Sequence, residues 1–323
     1  MAGPQLHPPI SVIIPTCNNR ALLERFLQPL FASLAKYPGE HEVVVVDNGS
    51  SDGTAAWLKG THPQVLTLES AEPLGFSVAC NRGANAASHS LLLFLNSDVE
   101  VSPDFLTPLA EALGHPEVFA AGSEVIQAGT AENSGKSESL SAVRFRRGLF
   151  EVVTLFDAPA PTGISPVFYL PAACLLVKKE RFLDLNGFDP LYSPYSWEDV
   201  DLCYRAWKRG WRVVLVPASR VLHYRSSTVG AMFSRSAHLT IGHRNQILMV
   251  WKNVRDAGML AQHLLHLPVH LGASLIRGRF WFLRAVLGAL RRLPLALRAR
   301  GLEREARLTD REVLAVFSHF SAP

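Results

Sequence analysis

The chain has 323 residues, of which 48% are hydrophobic and 19% are charged, and its formal net charge is +4. This length suffices to bury one large core, or a core with a smaller appended unit. The four cysteines lie far apart and match no zinc-type spacing, which argues against a zinc site and predicts reduced, buried thiols. The polar, proline-rich start does not resemble a secretory signal, so we expect a cytoplasmic protein.

The first hundred residues alternate between strand and helix patterns. Strands are predicted at 10–14, 41–46, 65–68 and 91–95, and helices at 21–37, 55–59 and 78–89. The strand runs are apolar throughout rather than alternating, which is typical of parallel strands covered on both faces. The pattern therefore favours an α/β fold, with an open, mostly parallel sheet flanked by helices.

The alternation is looser after residue 103. Further elements are predicted as a helix at 104–113, a strand near 118–122, a polar stretch over 128–141 that is in part a mobile loop, a strand at 173–177, a helix from 179 and a strand at 213–216. Beyond about Ser226 the pattern is helical. We therefore predict an N-terminal tail over 1–9, an α/β domain over 10–226 and a helical, basic, amphipathic extension over 227–323.

The C-terminal extension is rich in arginine, with Leu, Phe, Trp and Ala between the arginines. Its stretch 257–276 is long and apolar enough to raise the question of a membrane span, but His263, His266, Pro268 and His270 interrupt it. Two alternatives stay open for these helices. One is peripheral contact with the inner face of the cell membrane. The other is packing on the α/β domain or on a second copy in a homo-oligomer. We do not expect nucleic acid as a partner.

Polar residues follow several of the predicted strands. In open α/β sheets, ligands bind at the carboxyl ends of the strands, so these positions predict a binding site. The residues singled out after the first, second and fourth strands are Pro15, Thr16, Asn18, Asp47, Asn96, Ser97 and Asp98.

Two carboxylates in this set have alternative interpretations. Asp47 is placed to bind a base or ribose, although a turn followed by a helix cap also explains the segment 47–54, and for Asp52 we favour the cap. Asp98 is placed to hold a hard divalent cation against a diphosphate, although an ordinary turn is the usual meaning of such a segment.

The segment 197–201 places Glu198, Asp199 and Asp201 beside Trp197. Crowded acids raise one another's pKa, which favours a general base that takes a proton from an acceptor hydroxyl. The alternative is an acidic first turn favoured by the helix dipole. His223 closes the last strand region, where it completes a metal shell with Asp98 or is a satisfied core histidine.

Together these segments resemble the family 2 glycosyltransferases of the GT-A fold, especially the branch related to bacterial rhamnosyltransferases. The matching segments are SVIIPT at 11–16, VDNGSSDGT at 46–54, GF at 75–76 with NRG at 81–83, FLNSD at 94–98, AACLLVK at 172–178, GFD at 187–189, WEDVD at 197–201 and HY at 223–224. They follow the order of the family over roughly residues 10 to 230.

The resemblance implies a role for each matching position. Pro15, Thr16 and Asp47 would hold the base and ribose of a nucleotide-sugar donor, and Asn81 and Arg82 would lie along the donor side of the cleft. Asp98 and His223 would bind Mg²⁺ or Mn²⁺. Asp199 would be the catalytic base, with Glu198 placing the acceptor. The expected donor-site residues also include Asn18, Ser97 and Trp197. Asn96 departs from the family pattern, because many relatives have an acid there.

The implied reaction is an inverting, metal-dependent transfer by a single displacement. The branch favours deoxythymidine-diphosphate rhamnose as the donor, and a saccharide or lipid-linked saccharide of cell-surface polysaccharide synthesis as the acceptor. Two alternatives remain open. One is a uridine-diphosphate sugar as donor, and the other is a non-catalytic protein that binds nucleotide sugars.

Overall fold

The structure is a computed structural model that describes residues 7–129, 133–159, 161–224, 233–302 and 305–318. Its strands are β1 (Ile10–Thr16), β2 (His41–Asn48), β3 (Leu66–Ser70), β4 (Leu91–Leu95), β5 (Val99–Val101), β6 (Val118–Gln127), β7 (Ser141–Arg146), β8 (Leu149–Thr154), β9 (Ser165–Pro166), β10 (Cys174–Lys178) and β11 (Arg212–His223). Its helices are α1 (Arg20–Leu34), α2 (Thr54–Thr61), α3 (Phe76–Ala86), α4 (Leu106–Leu113), α5 (Lys179–Asp184), α6 (Glu198–Lys208), α7 (Arg235–Asn253), α8 (Ala257–Ile276), α9 (Phe280–Leu302) and α10 (Asp310–Val316), with a 3₁₀ turn at Pro190–Tyr192.

The main sheet has the strand order β3-β2-β1-β4-β10-β6-β11-β5, with β9 paired to β11. Strands β1 to β4, β6 and β11 run in one direction, and β5, β9 and β10 run in the other. This confirms the predicted mostly parallel, mixed sheet with flanking helices. The antiparallel β10 lies between β4 and β6, so its first residues meet the last residues of β4 at the carboxyl edge.

The central strands are buried on both faces, as their uninterrupted apolar runs predict. Successive side chains of a strand point to opposite faces, so each strand contributes to two cores. Ile13 and Phe94 belong to the core beneath α3 and α6, while Val12 and Leu93 belong to the core beneath α1 and α4. The sheet is thereby fixed from both sides.

The structure differs from the sequence prediction in the middle of the chain. The predicted short strand near 118–122 is the ten-residue β6, and β7 and β8 form a hairpin that periodicity did not indicate. The predicted strand at 213–216 continues as β11 to His223, through an irregularity in its pairing after Val216. This extension carries His223 to the carboxyl edge. The predicted boundary at 226 lies within 225–232, outside the described residues.

The C-terminal helices pack on the sheet domain. Helix α9 lies along α7, and α7 contacts α6 and the strand β8. Among the helices that the structure describes, none combines the length and the apolar character needed to cross a membrane. All four cysteines are free and buried, as expected.

The contact between α3 and the sheet gives a test of this packing. Gly83 of α3 leaves no room for a side chain, because an added Cβ would lie 2.4 Å from Ile13 Cγ2 and 3.1 Å from Val46 Cγ2. We expect Gly83→Ala to lower the free energy of unfolding by about 1–3 kcal/mol, the usual cost of overpacking a core. Urea denaturation measures this change.

Gly60→Ala is the matched control. Gly60 is also helical, in α2, but nothing lies within 4 Å of an added Cβ. Alanine should therefore stabilise the fold by roughly 0.4–1 kcal/mol through its lower unfolded-state entropy. Equal effects of the two substitutions would contradict the close approach of α3 to β1 and β2.

Candidate active site

The polar residues predicted as a site meet at the carboxyl edge of the sheet. Strands β1, β2 and β4 end there, and Thr16 is directly opposite Asp47 in the register. The antiparallel β10 begins there, and the amide of Asn96 donates to the carbonyl of Ala173 at 3.0 Å. Strand β11 ends there with His223 opposite Val99. Segments far apart in sequence therefore share one edge.

The loops after β1 and β2 are joined by Asn18. Its backbone amide donates to Ser50 Oγ at 2.9 Å, and its side-chain Oδ1 accepts from the amide of Ser51 at 2.7 Å. Asp47 is buried, and its Oδ1 accepts from the amide of Ser50 at 2.9 Å. The neighbouring Thr16 is also buried, and its Oγ1 has no partner among the described residues. Thr16 and Asp47 thus offer hydrogen-bonding groups at the edge of the cleft.

Asp52 behaves as the helix-cap interpretation predicted. Its Oδ1 accepts from the amide of Thr54, the first residue of α2, at 3.1 Å. Its Oδ2 accepts from the amide of Arg20 at 3.0 Å, which ties the start of α1 to the start of α2. Asp52 therefore shapes the loops and leaves Asp47 as the carboxylate at the end of β2.

The structure places Asn81 and Arg82 on α3, where both side chains make hydrogen bonds to the protein backbone. Asn81 Nδ2 donates to the carbonyl of Phe188 at 2.7 Å, and Asn81 Oδ1 accepts from the backbone N–H of Phe188 at 3.0 Å. A Cβ on Gly187 would lie 2.5 Å from Asn81 Oδ1, so glycine is required there. The Arg82 guanidinium donates to the carbonyl of Glu69 at 3.0 Å. Asn81 holds the loop 187–189, and its predicted contact with the donor stays a prediction.

After β4 the chain places Asn96, Ser97 and Asp98 at the centre of the edge. Asn96 is half-buried, whereas Ser97 and Asp98 are buried. Ser97 Oγ accepts from Asn19 Nδ2 at 3.0 Å, which links this segment to the loop after β1. The carbonyl of Asp98 accepts from the amide of Tyr224 at 2.9 Å. These two hydrogen bonds fix the position of the segment that carries the Asp98 side chain.

His223 joins Asp98 to a second acid that the sequence did not indicate. Its Nε2 lies 3.3 Å from Asp98 Oδ1, and its Nδ1 lies 2.6 Å from Glu138 Oε1. Glu138 is buried, and Gln127 Nε2 donates to its other oxygen at 3.2 Å. Burial lowers the pKa of His223, but the hydrogen bonds and charges of Asp98 and Glu138 outweigh it and raise the pKa to about 9.

Asp98 and His223 fit a divalent cation by the chemistry of their donor atoms. A carboxylate oxygen and an imidazole nitrogen face each other, and a carboxylate on the far ring nitrogen is the usual support of a metal-binding histidine. Among the described residues, no group of three or more His, Cys, Asp or Glu side chains is arranged to hold a metal by itself. Two protein ligands suit a cation such as Mg²⁺, which is typically shared with substrate phosphates.

The acidic segment begins α6 at the same edge of the sheet. Ser196 and Trp197 both have left-handed backbone angles, with φ of 76° and 77°, and the helix starts at Glu198. Asp199 accepts hydrogen bonds from the backbone of Val200, at 2.8 Å, and of Ala172, which lies just before β10. The Asp199 carboxylate is therefore next to the segment that contacts Asn96.

The first two acids of α6 have raised pKa values. Burial, and then the charge of Asp199, raise the pKa of Glu198 well above its usual range. Burial raises the pKa of Asp199 to about 6, against the hydrogen bonds from its neighbours that lower it. Glu198 Oε2 is buried with no partner among the described residues. The two acids therefore differ in pKa, and Asp199, with the value near 6, is the one that ionises close to neutral pH and can then accept a proton.

The third acid, Asp201, does not share the surroundings of Glu198 and Asp199, although the sequence predicted that the three acids would be crowded together. It is completely buried away from the cleft, and its carboxylate contacts Arg205 Nε at 2.7 Å and Lys252 Nζ at 2.8 Å. Burial alone would raise its pKa, but these two cations hold the pKa well below the usual range. Asp201 is therefore permanently ionised, and its role is to anchor α6.

The loop before the acids is held by α7, from the region predicted as an appended extension. Asn245 is completely buried, and its Nδ2 lies within 2.9 Å of the carbonyls of Tyr192, Tyr195 and Ser196. The guanidinium of Arg292 on α9 adds contacts to the carbonyls of Leu191, at 2.6 Å, and Ser193, at 2.8 Å. Nothing in the periodicity of α7 indicated this function.

Family models match this chain over most of its length. The model described as "Glycosyl transferase family group 2" matches residues 91–301, which is more than half of the chain, and the model described as "Glycosyl transferase family 2" matches residues 11–163. The chain belongs to glycosyltransferase family 2. The carboxyl edge described above is therefore the candidate active site of a transferase.

A curated relative places the glycosyltransferase in the rhamnosyltransferase-like branch. This chain is 28% identical over 264 residues to "N-acetylglucosaminyl-diphospho-decaprenol L-rhamnosyltransferase" of Mycobacterium tuberculosis, and the match covers 75% of this chain and 83% of the relative. The predicted family and branch are thereby confirmed.

Solved structures share the fold. One is GalNAc-T7 with UDP, GalNAc and Mn²⁺, with a TM-score of 0.59, 19% identity and coverage of 76% of this chain and 48% of that chain. Another is the mannosyltransferase PcManGT from Pyrobaculum calidifontis in complex with GDP-Man and Mn²⁺, with a TM-score of 0.55, 17% identity and coverage of 90% and 89%. These likenesses confirm the predicted GT-A architecture of the glycosyltransferase.

The Asn245 contacts predict a variant that affects the loop. Asn245→Ala removes the donor shared by the carbonyls of Tyr192, Tyr195 and Ser196. We expect a loss of about 1–3 kcal/mol in the free energy of unfolding, since buried carbonyls lose their partner. We also expect transfer to fall more than donor binding, because this loop leads to Glu198 and Asp199. Thermal unfolding and calorimetric titration with nucleotide measure the two effects.

Thr240→Ala is a control on the same helix. Thr240 Oγ1 lies 2.8 Å from the carbonyl of Ser236, within α7, and 3.3 Å from that of Trp281 on α9, and it does not hold the loop. Its stability loss should be small and its transfer rate unchanged. An Asn245→Ala variant with normal transfer would show that the loop keeps its position without this contact.

Proposed function

We propose that the protein transfers a sugar, with inversion at the anomeric carbon, from a nucleoside-diphosphate donor to a saccharide or lipid-linked saccharide acceptor. The donor we favour is deoxythymidine-diphosphate rhamnose, because the Mycobacterium tuberculosis relative is named a rhamnosyltransferase. That relative's name also specifies a diphospho-decaprenol, which supports a lipid-linked acceptor in cell-surface polysaccharide synthesis. The reaction would then occur in the cytoplasm, at the inner face of the cell membrane.

The observation that carries this proposal is the pair of acids at the start of α6. Burial and the charge of Asp199 raise the pKa of Glu198 well above its usual range, and its Oε2 has no partner among the described residues, while Asp199 has a pKa of about 6. We assign Asp199 as the base that removes the proton of an acceptor hydroxyl as that oxygen attacks the anomeric carbon. Glu198 orients the acceptor by hydrogen bonding. With one base assigned and no second nucleophile assigned among the described residues of this edge, we infer a single, inverting displacement.

The donor would lie across the ends of β1, β2 and β4. Thr16 and Asp47 would hold the base and ribose, with Pro15 and Asn18 shaping the loop around them. Asn81, Arg82, Asn96, Ser97 and Trp197 complete the proposed donor site. Asp98 and His223 would hold Mg²⁺ or Mn²⁺, which neutralises charge on the diphosphate when bound. The solved structures of GalNAc-T7 and PcManGT, both with Mn²⁺, support this proposal.

The assignment of the base predicts the effect of Asp199→Asn. This variant should bind donor normally and lose transfer by about 10²–10⁴-fold, since proton removal by a positioned base contributes about that much. Glu198→Gln is the matched comparison, because it neutralises the other acid of the pair while keeping the size and hydrogen-bonding capacity of the side chain. It should lose much less activity. Initial rates with labelled donor measure both, and the reverse order of losses would assign the base to Glu198.

The pKa of Asp199 predicts the pH dependence of transfer. The carboxylate is the active form, so protonation below about pH 6 removes it. On the acid limb, kcat/KM should fall about tenfold per pH unit and should be level above that region. A pH–rate profile checks this. A rate that is unchanged between pH 5 and 7 would exclude Asp199 as the titrating base.

Donor and metal are tested together by calorimetry. The wild type should bind deoxythymidine-diphosphate rhamnose more tightly with Mn²⁺ than without, and Asp98→Ala should lose this gain while keeping the weaker, metal-free binding. An equal gain in the variant would remove Asp98 from the metal site. Uridine-diphosphate sugars form the second arm of the panel. If the uridine-diphosphate sugars bind more tightly, one of them takes the place of deoxythymidine-diphosphate rhamnose as the assigned donor. If donors bind but none is turned over, the result favours a non-catalytic protein.

A further inference from the structure

The outward side of α8 carries large apolar side chains that nothing in the described chain covers. Leu264, Leu265, Val269 and Ile276 are between 62% and 89% exposed. They recur at helical spacing, with Ala261 and Pro268 on the same side, so they form one stripe along the helix. Isolated exposed leucines are ordinary, but a contiguous apolar stripe marks an interaction surface.

The outward side of α9 carries a second exposed stripe, of different composition. Seven of its exposed residues alternate between apolar and basic along the helix: Phe280, Arg284, Leu287, Arg291, Leu295, Arg298 and Leu302. Their spacing of three or four residues keeps all of them on one face of the helix. We call the two stripes together the α8–α9 face.

The charge of this region is entirely of one sign. Residues 257–302 contain seven arginines and neither aspartate nor glutamate. Elsewhere the surface mixes both signs, as in the pairs Lys36 with Asp104 and Lys59 with Glu69. The partner of the α8–α9 face must therefore be apolar in part and negatively charged.

The opposite sides of the same helices account for folding without this face. His263 of α8 is buried and its Nδ1 lies 2.7 Å from the carbonyl of Gly148, in the turn between β7 and β8. Phe282, Ala285 and Ala289 of α9 are buried in the core. The leucines of the outward side add nothing to these contacts. Their exposure to water is unfavourable and calls for a partner.

We propose that the α8–α9 face docks on the surface of an anionic lipid bilayer, with both helices lying along the membrane plane. Leucine and phenylalanine side chains would enter the boundary between headgroups and acyl chains. The arginine stems would accompany them while the guanidinium groups bind lipid phosphates. Arginine interspersed with large apolar residues, without acids, is the composition expected of interfacial helices.

The face is connected directly to the acceptor side of the site, and this step rests on the proposed function. Arg292 projects from the inward side of α9 and binds the carbonyls of Leu191 and Ser193. That loop leads to Trp197 and the two acids. A lipid-linked acceptor would thus reach Asp199 from the membrane on which α9 lies, with its sugar extending from the headgroup region.

Vesicle cosedimentation of the full-length protein tests the proposal. The wild type should bind phosphatidylglycerol vesicles at least about tenfold more tightly than phosphatidylcholine vesicles, and added salt should weaken the difference. The double variant Leu264→Glu/Leu265→Glu should reduce binding at least about tenfold through lost apolar burial. The triple variant Arg284→Ala/Arg291→Ala/Arg298→Ala should reduce binding to phosphatidylglycerol by about a hundredfold, at about fivefold per arginine.

Matched variants on other surfaces control for charge and exposure. Leu66→Glu/Ile164→Glu adds the same charge at residues that are 43% and 53% exposed. Lys36→Ala/Lys59→Ala/Arg212→Ala removes the same charge from side chains that are between 56% and 62% exposed. Neither control should change vesicle binding. Calorimetric binding of nucleotide should be normal in every variant.

Several outcomes would overturn the proposal. Wild-type binding that is absent, or equal on the two vesicle types, excludes an anionic bilayer as the partner. A dimer in light scattering that Leu264→Glu/Leu265→Glu dissociates, without vesicle binding, assigns the face to a second copy. If the protein transfers sugar but does not bind vesicles, the proposed docking surface is wrong and the proposed function stands. If it binds vesicles but transfers no sugar, the proposed function is wrong and the proposed docking surface stands.

Discussion

The carboxylate of Asp201 lies in the first turn of α6 with no contact to water, and the cations that neutralise it come from two different helices. Arg205 belongs to α6 itself, and Lys252 belongs to α7. Since breaking a buried ion pair costs about 3–5 kcal/mol, only one position of α7 against α6 is acceptable. Lys252 also contacts Asp189 at 2.7 Å, in the preceding loop. The two acids proposed for catalysis, Glu198 and Asp199, are thus positioned by charges that have no part in the proposed chemistry.

Much of the donor side was predictable from sequence because it follows from the geometry of strands. Apolar runs identify buried parallel strands, and parallel strands that start together also end together. Asp47 and Asp98 could therefore be assigned to one edge from the pattern of residues alone. The bounds of the strands were less predictable, as β11 shows. Its pairing is irregular after Val216, which interrupts the apolar pattern seven residues before His223.

The supports of the site were not predictable, because they depend on contacts between distant segments. Glu138 lies in a polar stretch that indicates only a loop, yet it contacts His223 across 85 residues of sequence. Asn245 stands in a helix whose polar and apolar residues show no clear division, and its partners lie about fifty residues earlier. A buried polar residue gives no periodic signal, since its position is determined by what it binds. The role of Asp201 could not be predicted either, because the sequence pattern of an acid in a first helical turn is the same whether the acid faces a cleft or a buried lysine.

The antiparallel strand β10 separates β1 to β4 from β6 and β11 in the main sheet. Most of the residues proposed for the nucleotide precede residue 99, whereas Trp197, the acids, the loop before them and Asn245 all follow residue 172. The two groups meet through backbone hydrogen bonds, such as that between Asn96 and Ala173, and through side-chain contacts, such as those of Asn81 with Phe188 and of Asp98 with His223. A substitution at one of these pairs has to suit the partner on the other side of β10, so in a lineage of such chains we expect the two sides to change together at these positions.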